Sequence, residues 1–381
     1  MKLFYDASYF ISCPSGFGIY TTSLLNALLS LDRTIAVECG ITSVNPRMHI
    51  CLSKALKSYC PGRQIRLRHR FFPKCTPHCI RNFLSFRSEE YDVMHFTGSI
   101  CPPWIPVSSL KNAVITVHDM FRFYEKPTLL EKRFRNEACR QYRECAAILA
   151  NSRYTKNEIL KFLPGFPEEK IEVVPLAAQL MDYAKPQSGD FLLKNNLSRY
   201  FLSVGALQYK NHDKLIRAFQ KFRQTSDYKK GDKLVIAGRN AGGTDDLKQT
   251  LEDIVRKDDD IVRLDALSGN DLLCLYRNAL GFFLISPQEG FGLPLLEAMT
   301  CGTPACYNPG SAMDEIGRNA AFAVSCDDEE GLLRQFAVFS EGGPEVKARV
   351  RHALEISKEY SWRRTALETL KVYQKVMGRK Q

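Results

Sequence analysis

The sequence has no long hydrophobic run: no segment reaches the roughly eighteen consecutive apolar residues that a membrane-spanning helix needs. Its first residues, Met1 to Asp6, reach a charged side chain too early for the apolar part of a secretory signal. With 45% hydrophobic and 25% charged residues, the composition is typical of a folded globular protein and excludes extensive disorder. We therefore expect a soluble, cytoplasmic protein.

Repeated metal-binding motifs are also missing. The thirteen cysteines are an odd number without a repeated C-x-x-C pair, in a chain too long to need disulfide bonds for its stability. The tightest cluster, Cys75 to Cys79, lacks a second half at zinc spacing. We expect reduced thiols, no metal site and no cofactor.

Positive charge is concentrated in the first half of the chain. The net charge is +11, and residues 1–180 hold 24 Lys and Arg against 15 Asp and Glu. The densest part, residues 63–87, interleaves cations with phenylalanines, which would suit contact with an anionic membrane surface. A solvated basic face over a few core phenylalanines is the alternative interpretation. We expect no nucleic acid partner, because no recognition motif accompanies the charge.

Short β-branched or apolar runs alternate with helical patterns along the whole chain, which predicts α/β architecture with parallel sheets covered on both faces. The predicted strands are Leu3–Tyr5, Asp92–Phe96, Val114–His118, Ala147–Asn151, Ile171–Pro175, Tyr200–Val204, Leu234–Ala237, Gly281–Ser286 and Thr303–Tyr307. The clearest predicted helices are Tyr20–Leu31, Leu129–Cys145, His212–Arg223 and Gly269–Asn278.

The strand pattern restarts after the polar stretch Lys185–Asp190, which predicts two doubly wound, Rossmann-like domains, residues 1–184 and 185–362. Ligands of such sheets bind at the carboxyl ends of the strands. We expect the two domains to face each other across a cleft that holds the active site.

The segment from Ser286 to Met299, SPQEGFGLPLLEAM, carries the strongest chemical signal. Gly290 and Gly292 allow close approach of the backbone to a ligand, and a proline suits the first helical turn that follows. The amides at the start of that helix would attract a diphosphate. Glu289 and Glu297 could accept hydrogen bonds from two sets of hydroxyls, one on a sugar and one on a ribose.

This segment resembles the family 4 glycosyltransferases, whose E-x7-E motif matches Glu289 to Glu297 and whose C-G-T-P run matches Cys301 to Pro304. The family has the GT-B fold, retains the anomeric configuration of the sugar and uses no metal bound by D-x-D carboxylates. The resemblance implies that Glu289 orients the transferred sugar and that Glu297 holds the nucleotide ribose. Phe291 and Leu293 would join the glycines in binding the donor.

The resemblance extends over nearly the whole chain. Gly16-Phe17-Gly18 resembles the glycine loop of the family near the donor diphosphate, and the stretch ending in His118-Asp119 resembles the one whose histidine faces the reacting sugar. We expect His118 to be catalytic. The segment from Tyr360 to Trp362 resembles the crossing back to the first domain, where we expect residues 363–381 to pack as a helix.

One departure concerns the leaving diphosphate. Relatives commonly read V-G-x-L-x-P-R-K-N, whereas this chain is one residue shorter there and lacks the arginine before Lys210. Lys210 can neutralise the diphosphate only as a point charge. Arg239 is a candidate substitute, with a surface role as the alternative.

The resemblance favours transfer of a hexose, with GDP-mannose as the donor, to a glycan or polyprenyl-linked acceptor in lipopolysaccharide or other surface polysaccharide synthesis. UDP-glucose, UDP-GlcNAc and dTDP-rhamnose remain alternative donors. A nucleotide-sugar epimerase or phosphorylase of the same fold is a second class, and a non-catalytic scaffold is a third, suggested by the altered segment around Lys210. The donor, the acceptor and the linkage stay open at this point.

Overall fold

The computed structural model describes residues 1–12, 15–43, 65–71, 87–102, 105–124, 126–178, 188–205, 210–238, 257–265 and 267–378. The chain divides into two compact units. The first consists of Met1–Leu176 together with Ser361–Gln381, and the second is Ala177–Tyr360. Each unit has a parallel sheet with helices of its own.

The first unit contains a seven-stranded parallel sheet in the order β3-β2-β1-β4-β5-β6-β7. Its strands are β1 (Lys2–Asp6), β2 (Ala36–Ser43), β3 (Arg66–Phe71), β4 (Val93–Phe96), β5 (Ala113–Val117), β6 (Ala147–Ala150) and β7 (Ile171–Val173). The strand order reverses direction between β1 and β4, which makes their carboxyl ends the place where a doubly wound sheet binds ligands.

Three α-helices lie in the described part of the N-terminal segment of the first unit: α1 (Gly16–Leu31), α2 (Leu129–Glu144) and α3 (Arg153–Phe162). Each begins at a hydroxyl cap, with Ser15, Thr128 and Ser152 accepting from a backbone amide of the first turn. The last helix, α11 (Trp362–Gly378), belongs to the same unit and packs on α1.

The second unit contains a six-stranded parallel sheet in the order β10-β9-β8-β11-β12-β13. Its strands are β8 (Arg199–Val204), β9 (Asp232–Ala237), β10 (Ile261–Leu264), β11 (Gly281–Leu284), β12 (Ala305–Tyr307) and β13 (Phe322–Ala323). Here the strand order reverses between β8 and β11.

The described helices of the second unit are α4 (Ser188–Lys194), α5 (His212–Phe222), α6 (Gly269–Asn278), α7 (Leu293–Thr300), α8 (Met313–Gly317), α9 (Glu329–Glu341) and α10 (Pro344–Ser357). Aromatic side chains fill the core between the sheet and α5 and α9. Phe336 packs edge-to-face on Phe201, with ring centroids 4.8 Å apart, and lies 4.4 Å from Phe283.

All nine strands predicted from the sequence are present, with ends that differ by one or two residues, because hydrophobic runs mark a buried strand better than they mark its ends. The prediction missed four strands, β2, β3, β10 and β13. The basic stretch from Arg66 to Phe71 is one of them: it forms the edge strand β3 next to β2. Residues 63–64 and 72–86, which include Cys75 to Cys79, lie outside the described residues.

No helix in the described part of the chain is long and apolar enough to cross a membrane. The eight cysteines of the described ranges are all free thiols. Within the same ranges, no group of three or more His, Cys, Asp or Glu side chains could hold a metal ion.

Candidate active site

Lys210 and Glu289 meet where the strand order of the second unit reverses. Lys210 lies six residues beyond the end of β8, and Glu289 follows the end of the adjacent strand β11. The Lys210 ammonium donates to Glu289 Oε1, and Ser286 Oγ donates to the same oxygen at 2.6 Å. The side chains of the pair are only 5% and 11% exposed, so each charge depends on the other for compensation.

Two local features hold Lys210 in place. Asn211 adopts the left-handed conformation at the start of α5, and its side-chain amide donates to the carbonyl of Ile285 at 3.0 Å, just beyond β11. Gly205, with a φ of +134°, leaves room for the lysine stem, since a Cβ there would lie 2.7 Å from Lys210 Cε. Asn211 thereby ties the start of α5 to the end of β11.

Gly290, Phe291 and Gly292 form the turn between Glu289 and helix α7. All three are buried, and Phe291 packs edge-to-face on Tyr360 with ring centroids 6.0 Å apart. Gly292 caps α7 with a φ of +92°, where a Cβ would lie 2.9 Å from Met313 Cγ. Leu293 is the first residue of the helix, so the positive end of α7 begins four residues after Glu289.

Glu297 lies about one turn into α7 and has a hydrogen-bond partner of its own, different from the Lys210–Glu289 pair. It is buried and accepts a hydrogen bond from Tyr276 Oη of α6 at 3.0 Å. Burial raises the pKa of the Glu297 carboxyl to about 7, against a smaller lowering by the tyrosine hydrogen bond. Near neutral pH this group is therefore poised between the carboxylate and the acid.

His118 directly follows β5 in the first unit. Its Nε2 contacts the carbonyl of Thr97 at 2.9 Å, and because a carbonyl can only accept, Nε2 carries the hydrogen. Its ring lies edge-to-face with Phe17 at 4.6 Å and with Tyr20 at 4.8 Å, both on α1. Burial lowers the pKa of His118 to about 4. The imidazole is therefore neutral at pH 7, with Nδ1 as its acceptor.

The predicted glycine loop from Gly16 to Gly18 is not a loop: these residues form the first turn of α1. The predicted loop conformation was wrong because Ser15 supplies an N-cap, its Oγ accepting from the Gly18 amide at 3.2 Å, and a capped start tolerates glycine. Donor binding by Gly16 and Gly18 stays a prediction. Phe17, between the two glycines, is the residue that reaches His118.

Arg239 lies outside the described residues, and so do Gln208 and Tyr209. Sequence reasoning missed three partners of the site residues: Tyr276, Thr97 and Tyr20. No sequence signal distinguished Tyr276 from other apolar-face residues of its helix, and Thr97 and Tyr20 become relevant only through the sheet order.

Two family models together match most of the chain. The model described as Glycosyltransferase Family 4 matches residues 15–179, and the one described as Glycosyl transferases group 1 matches residues 186–353. The chain belongs to the family 4 glycosyltransferases. Its ion pair and α7 turn lie in the second matched segment, and His118 lies in the first.

This glycosyltransferase resembles two curated O-antigen chain mannosyltransferases. It is 30% identical to the O-antigen chain mannosyltransferase RfbU of Salmonella typhimurium, over 61% of this chain and 62% of that one. It is 25% identical to O-antigen chain mannosyltransferase B of Escherichia coli, over 69% and 70% of the two chains. The match thus spans somewhat less than two thirds of the length of the Salmonella protein.

Solved structures share the fold of this glycosyltransferase, which is GT-B. A glycosyltransferase from Rickettsia africae aligns over 99% of this chain and 98% of its own, with a TM-score of 0.73 and 15% identity. WaaG, a glycosyltransferase involved in lipopolysaccharide biosynthesis, aligns over 98% of both chains with a TM-score of 0.66 and 15% identity.

Proposed function

We propose that this enzyme transfers mannose from GDP-mannose, with retention of configuration and without a metal, to a glycan or polyprenyl-linked glycan of a surface polysaccharide. The buried Lys210–Glu289 pair beside the start of α7 is the observation that carries the proposal. It places a cation and a carboxylate next to a positive helix end. A nucleotide-sugar donor needs both: positive charge for its diphosphate and an acceptor for the hydroxyls of its sugar.

Each group of the second unit then has a role. The Lys210 ammonium and the amides at Gly292 and Leu293 stabilise the departing diphosphate, with Gly290 and Phe291 shaping the turn. Glu289 orients the transferred sugar through its hydroxyls. Glu297 accepts from the ribose, which requires its carboxylate form. In the first unit, we assign to His118 a contact with the transferred sugar through its unprotonated Nδ1.

Retention follows if the acceptor hydroxyl attacks on the face from which the diphosphate leaves. The diphosphate oxygen can then take the proton of the acceptor, and no covalent nucleophile is needed. Positive charge from Lys210 and the α7 amides would balance the leaving group in place of a metal.

The names of three relatives support mannose as the sugar. Two are the O-antigen enzymes. The third is the GDP-mannose:cellobiosyl-diphosphopolyprenol alpha-mannosyltransferase of Komagataeibacter xylinus, which is 26% identical over 48% of this chain and 47% of that protein. That name contains a polyprenyl diphosphate acceptor as well as the donor.

A lipid-linked acceptor implies work at a membrane surface, and the start of α2 offers a suitable patch. Leu129 and Leu130 are 80% and 76% exposed, and the exposed cations Lys132 and Arg133 follow them. Exposed leucines beside cations favour insertion at an anionic bilayer surface. Flotation with anionic vesicles should be lost in Leu129→Ser/Leu130→Ser. It should persist in Leu193→Ser, an equally exposed leucine of the second unit.

A donor screen tests the proposed reaction. Thermal unfolding is followed with GDP-mannose, UDP-glucose, UDP-GlcNAc, UDP-galactose and dTDP-rhamnose, with and without EDTA, for the wild type, Glu297→Ala and the surface control Glu330→Gln. We expect GDP-mannose alone to stabilise the wild type and the control, with or without EDTA, and not Glu297→Ala. Stabilisation by another nucleotide sugar alone would replace the proposed donor.

Product analysis tests the rest of the proposal. With a diphosphopolyprenol-linked glycan, NMR of the product should show the anomeric configuration of the donor. Consumption of the nucleotide sugar with release of an altered monosaccharide in the absence of acceptor would identify an epimerase instead.

A further inference from the structure

Four buried side chains of the first unit form a continuous chain of hydrogen bonds that the proposed reaction does not use. Tyr373 Oη of α11 lies 2.6 Å from His95 Nδ1, His95 Nε2 lies 2.8 Å from Thr116 Oγ1, and Thr116 Oγ1 lies 2.7 Å from Tyr20 Oη. None of the four residues is more than 1% exposed. These hydrogen bonds therefore cross the core of the first unit from α11 to α1.

The two ends of this chain have different surroundings. Tyr373 is fully buried on α11. Tyr20, at the other end, presents its ring edge-to-face to His118, with centroids 4.8 Å apart and an interplanar angle of 84°. Tyr20 and Phe17 lie three residues apart on α1, so they form one face of that helix against the histidine.

His95 lies inside this chain of hydrogen bonds, with one ring nitrogen facing Tyr373 and the other facing Thr116. Burial lowers the pKa of His95 to about 3, with a smaller lowering by the nearby His118, so its ring is neutral at pH 7. A neutral imidazole donates from one nitrogen and accepts at the other. Tyr373 and Thr116 supply the two partners it needs, and removing the Tyr373 hydroxyl leaves a buried ring nitrogen without one.

We propose that Tyr373 is a positioning residue for His118, acting through His95, Thr116 and Tyr20. The hydroxyl of Tyr373 fixes the His95 ring, His95 and Thr116 fix the Tyr20 hydroxyl, and the Tyr20 ring then fixes the plane of His118. The Thr97 carbonyl sets which nitrogen of His118 carries the hydrogen, while the Tyr20 ring sets where Nδ1 points. This inference rests on the proposed contact of His118 with the sugar.

The test compares Tyr373→Phe with Tyr91→Phe. Tyr91 is an equally buried tyrosine of the same unit, and its hydroxyl donates to Glu38 Oε1 at 2.7 Å at the amino end of β4, away from His118. Both variants lose a buried hydroxyl and should lower the unfolding temperature. Only Tyr373→Phe should lower kcat, by about tenfold, with an unchanged KM for the donor, because a small misplacement of a reacting group slows the chemical step.

The ring nitrogen resonances of His118 give a second measurement that does not depend on activity. They should shift in Tyr373→Phe and in Thr116→Val, and not in Tyr91→Phe. The double variant Thr116→Val/Tyr373→Phe should lose no more kcat than the more impaired single variant, since both changes break the same chain. Multiplicative losses, or His118 resonances identical to those of Tyr91→Phe, would overturn the proposal.

His118→Ala separates the two levels of inference. If this variant kept the wild-type kcat, the proposed role of His118 would fail. The His118 resonances of Tyr373→Phe would still show whether the last helix sets the orientation of that ring.

Discussion

Lys210 and Glu289 neutralise each other at the carboxyl ends of two adjacent strands, β8 and β11, almost out of contact with water. A buried ion pair is costly to break from one side, because the remaining charge has no compensation. The pair therefore links the stability of the second unit to the groups that we assign to the donor.

Replacing Lys210 by methionine should destabilise the protein by about 3–5 kcal/mol, the usual cost of removing one partner of a buried pair. The double change Lys210→Met/Glu289→Gln should recover much of that loss, since no charge then stays unpaired. Urea unfolding measures both. A loss under 1 kcal/mol in the single variant would show that the pair contributes little.

Arg199 provides a matched control at the other end of β8. It bonds to the fully buried Asp232, so Arg199→Met also leaves a buried carboxylate without its cation. We expect both single variants to be destabilised and only Lys210→Met to lose stabilisation by the donor.

Gly292→Ala should cost about 1–3 kcal/mol and weaken donor binding, because position 292 has a φ of +92° and a new Cβ would lie 2.9 Å from Met313 Cγ. Gly302→Ala is the control beyond the other end of α7: its φ is +74°, but the nearest atoms lie 3.9 Å from a new Cβ. We expect Gly302→Ala to lose some stability from backbone strain and to bind the donor normally. Equal donor binding by both variants would contradict a role for the α7 turn.

Glu297→Gln should change how stability depends on pH. The pKa of Glu297 is raised from 4.5 to about 7, so between these values the folded state keeps a proton that the unfolded state has released. The free energy of unfolding therefore falls as the pH rises through this window, because the unfolded state releases its proton first. The loss reaches up to about 3 kcal/mol above pH 7. Unfolding curves should show the advantage of Glu297→Gln growing from pH 4.5 to 7 and constant above it.

Donor affinity should also depend on the ionisation of Glu297, but it should increase as the pH rises. If the ribose binds the Glu297 carboxylate, the dissociation constant of the donor should fall as the pH rises through about 7. Calorimetry at several pH values measures this. The same pH dependence in Glu297→Gln would assign it to another group.

His118→Ala should lower kcat by about a hundredfold, the loss typical of removing one group that contacts the reacting atoms. Because burial lowers the pKa of His118 to about 4, kcat at saturating donor should show no inflection near pH 6.5, where free histidine titrates. A pH profile from 5 to 9 checks this. An inflection near 6.5 that His118→Asn lacks would show that the ring titrates at its ordinary pKa.

Hydrophobic runs predicted most interior strands of both sheets, because parallel strands are buried on both faces. The interior strand β2 was missed all the same. They missed β3, whose Arg66-Leu67-Arg68-His69-Arg70 alternation of charge conceals an edge strand, and β13, which has only two residues. An edge strand needs less hydrophobic burial than a central one, so its sequence carries a weaker signal.

The sequence indicated Glu289, Lys210 and Glu297, because motif spacing is local. It could not show that Tyr276 contacts Glu297, or that Lys210 pairs with Glu289 across 79 positions of the chain, because both contacts depend on which strands and helices are neighbours. It also treated Gly16 to Gly18 as a loop, since the cap at Ser15 decides whether a glycine-containing segment starts a helix.

The first unit is built from both ends of the described chain, with α11 packed on α1 and its Thr365 hydroxyl donating to the carbonyl of Pro175 at 2.7 Å. During synthesis on the ribosome, residues 1–176 emerge well before the helix that completes their core. The second unit, contiguous in sequence, can finish folding while the first still exposes the apolar face that α11 will cover. Premature termination before residue 362 would therefore yield an incomplete first unit, a substrate for chaperones and proteases.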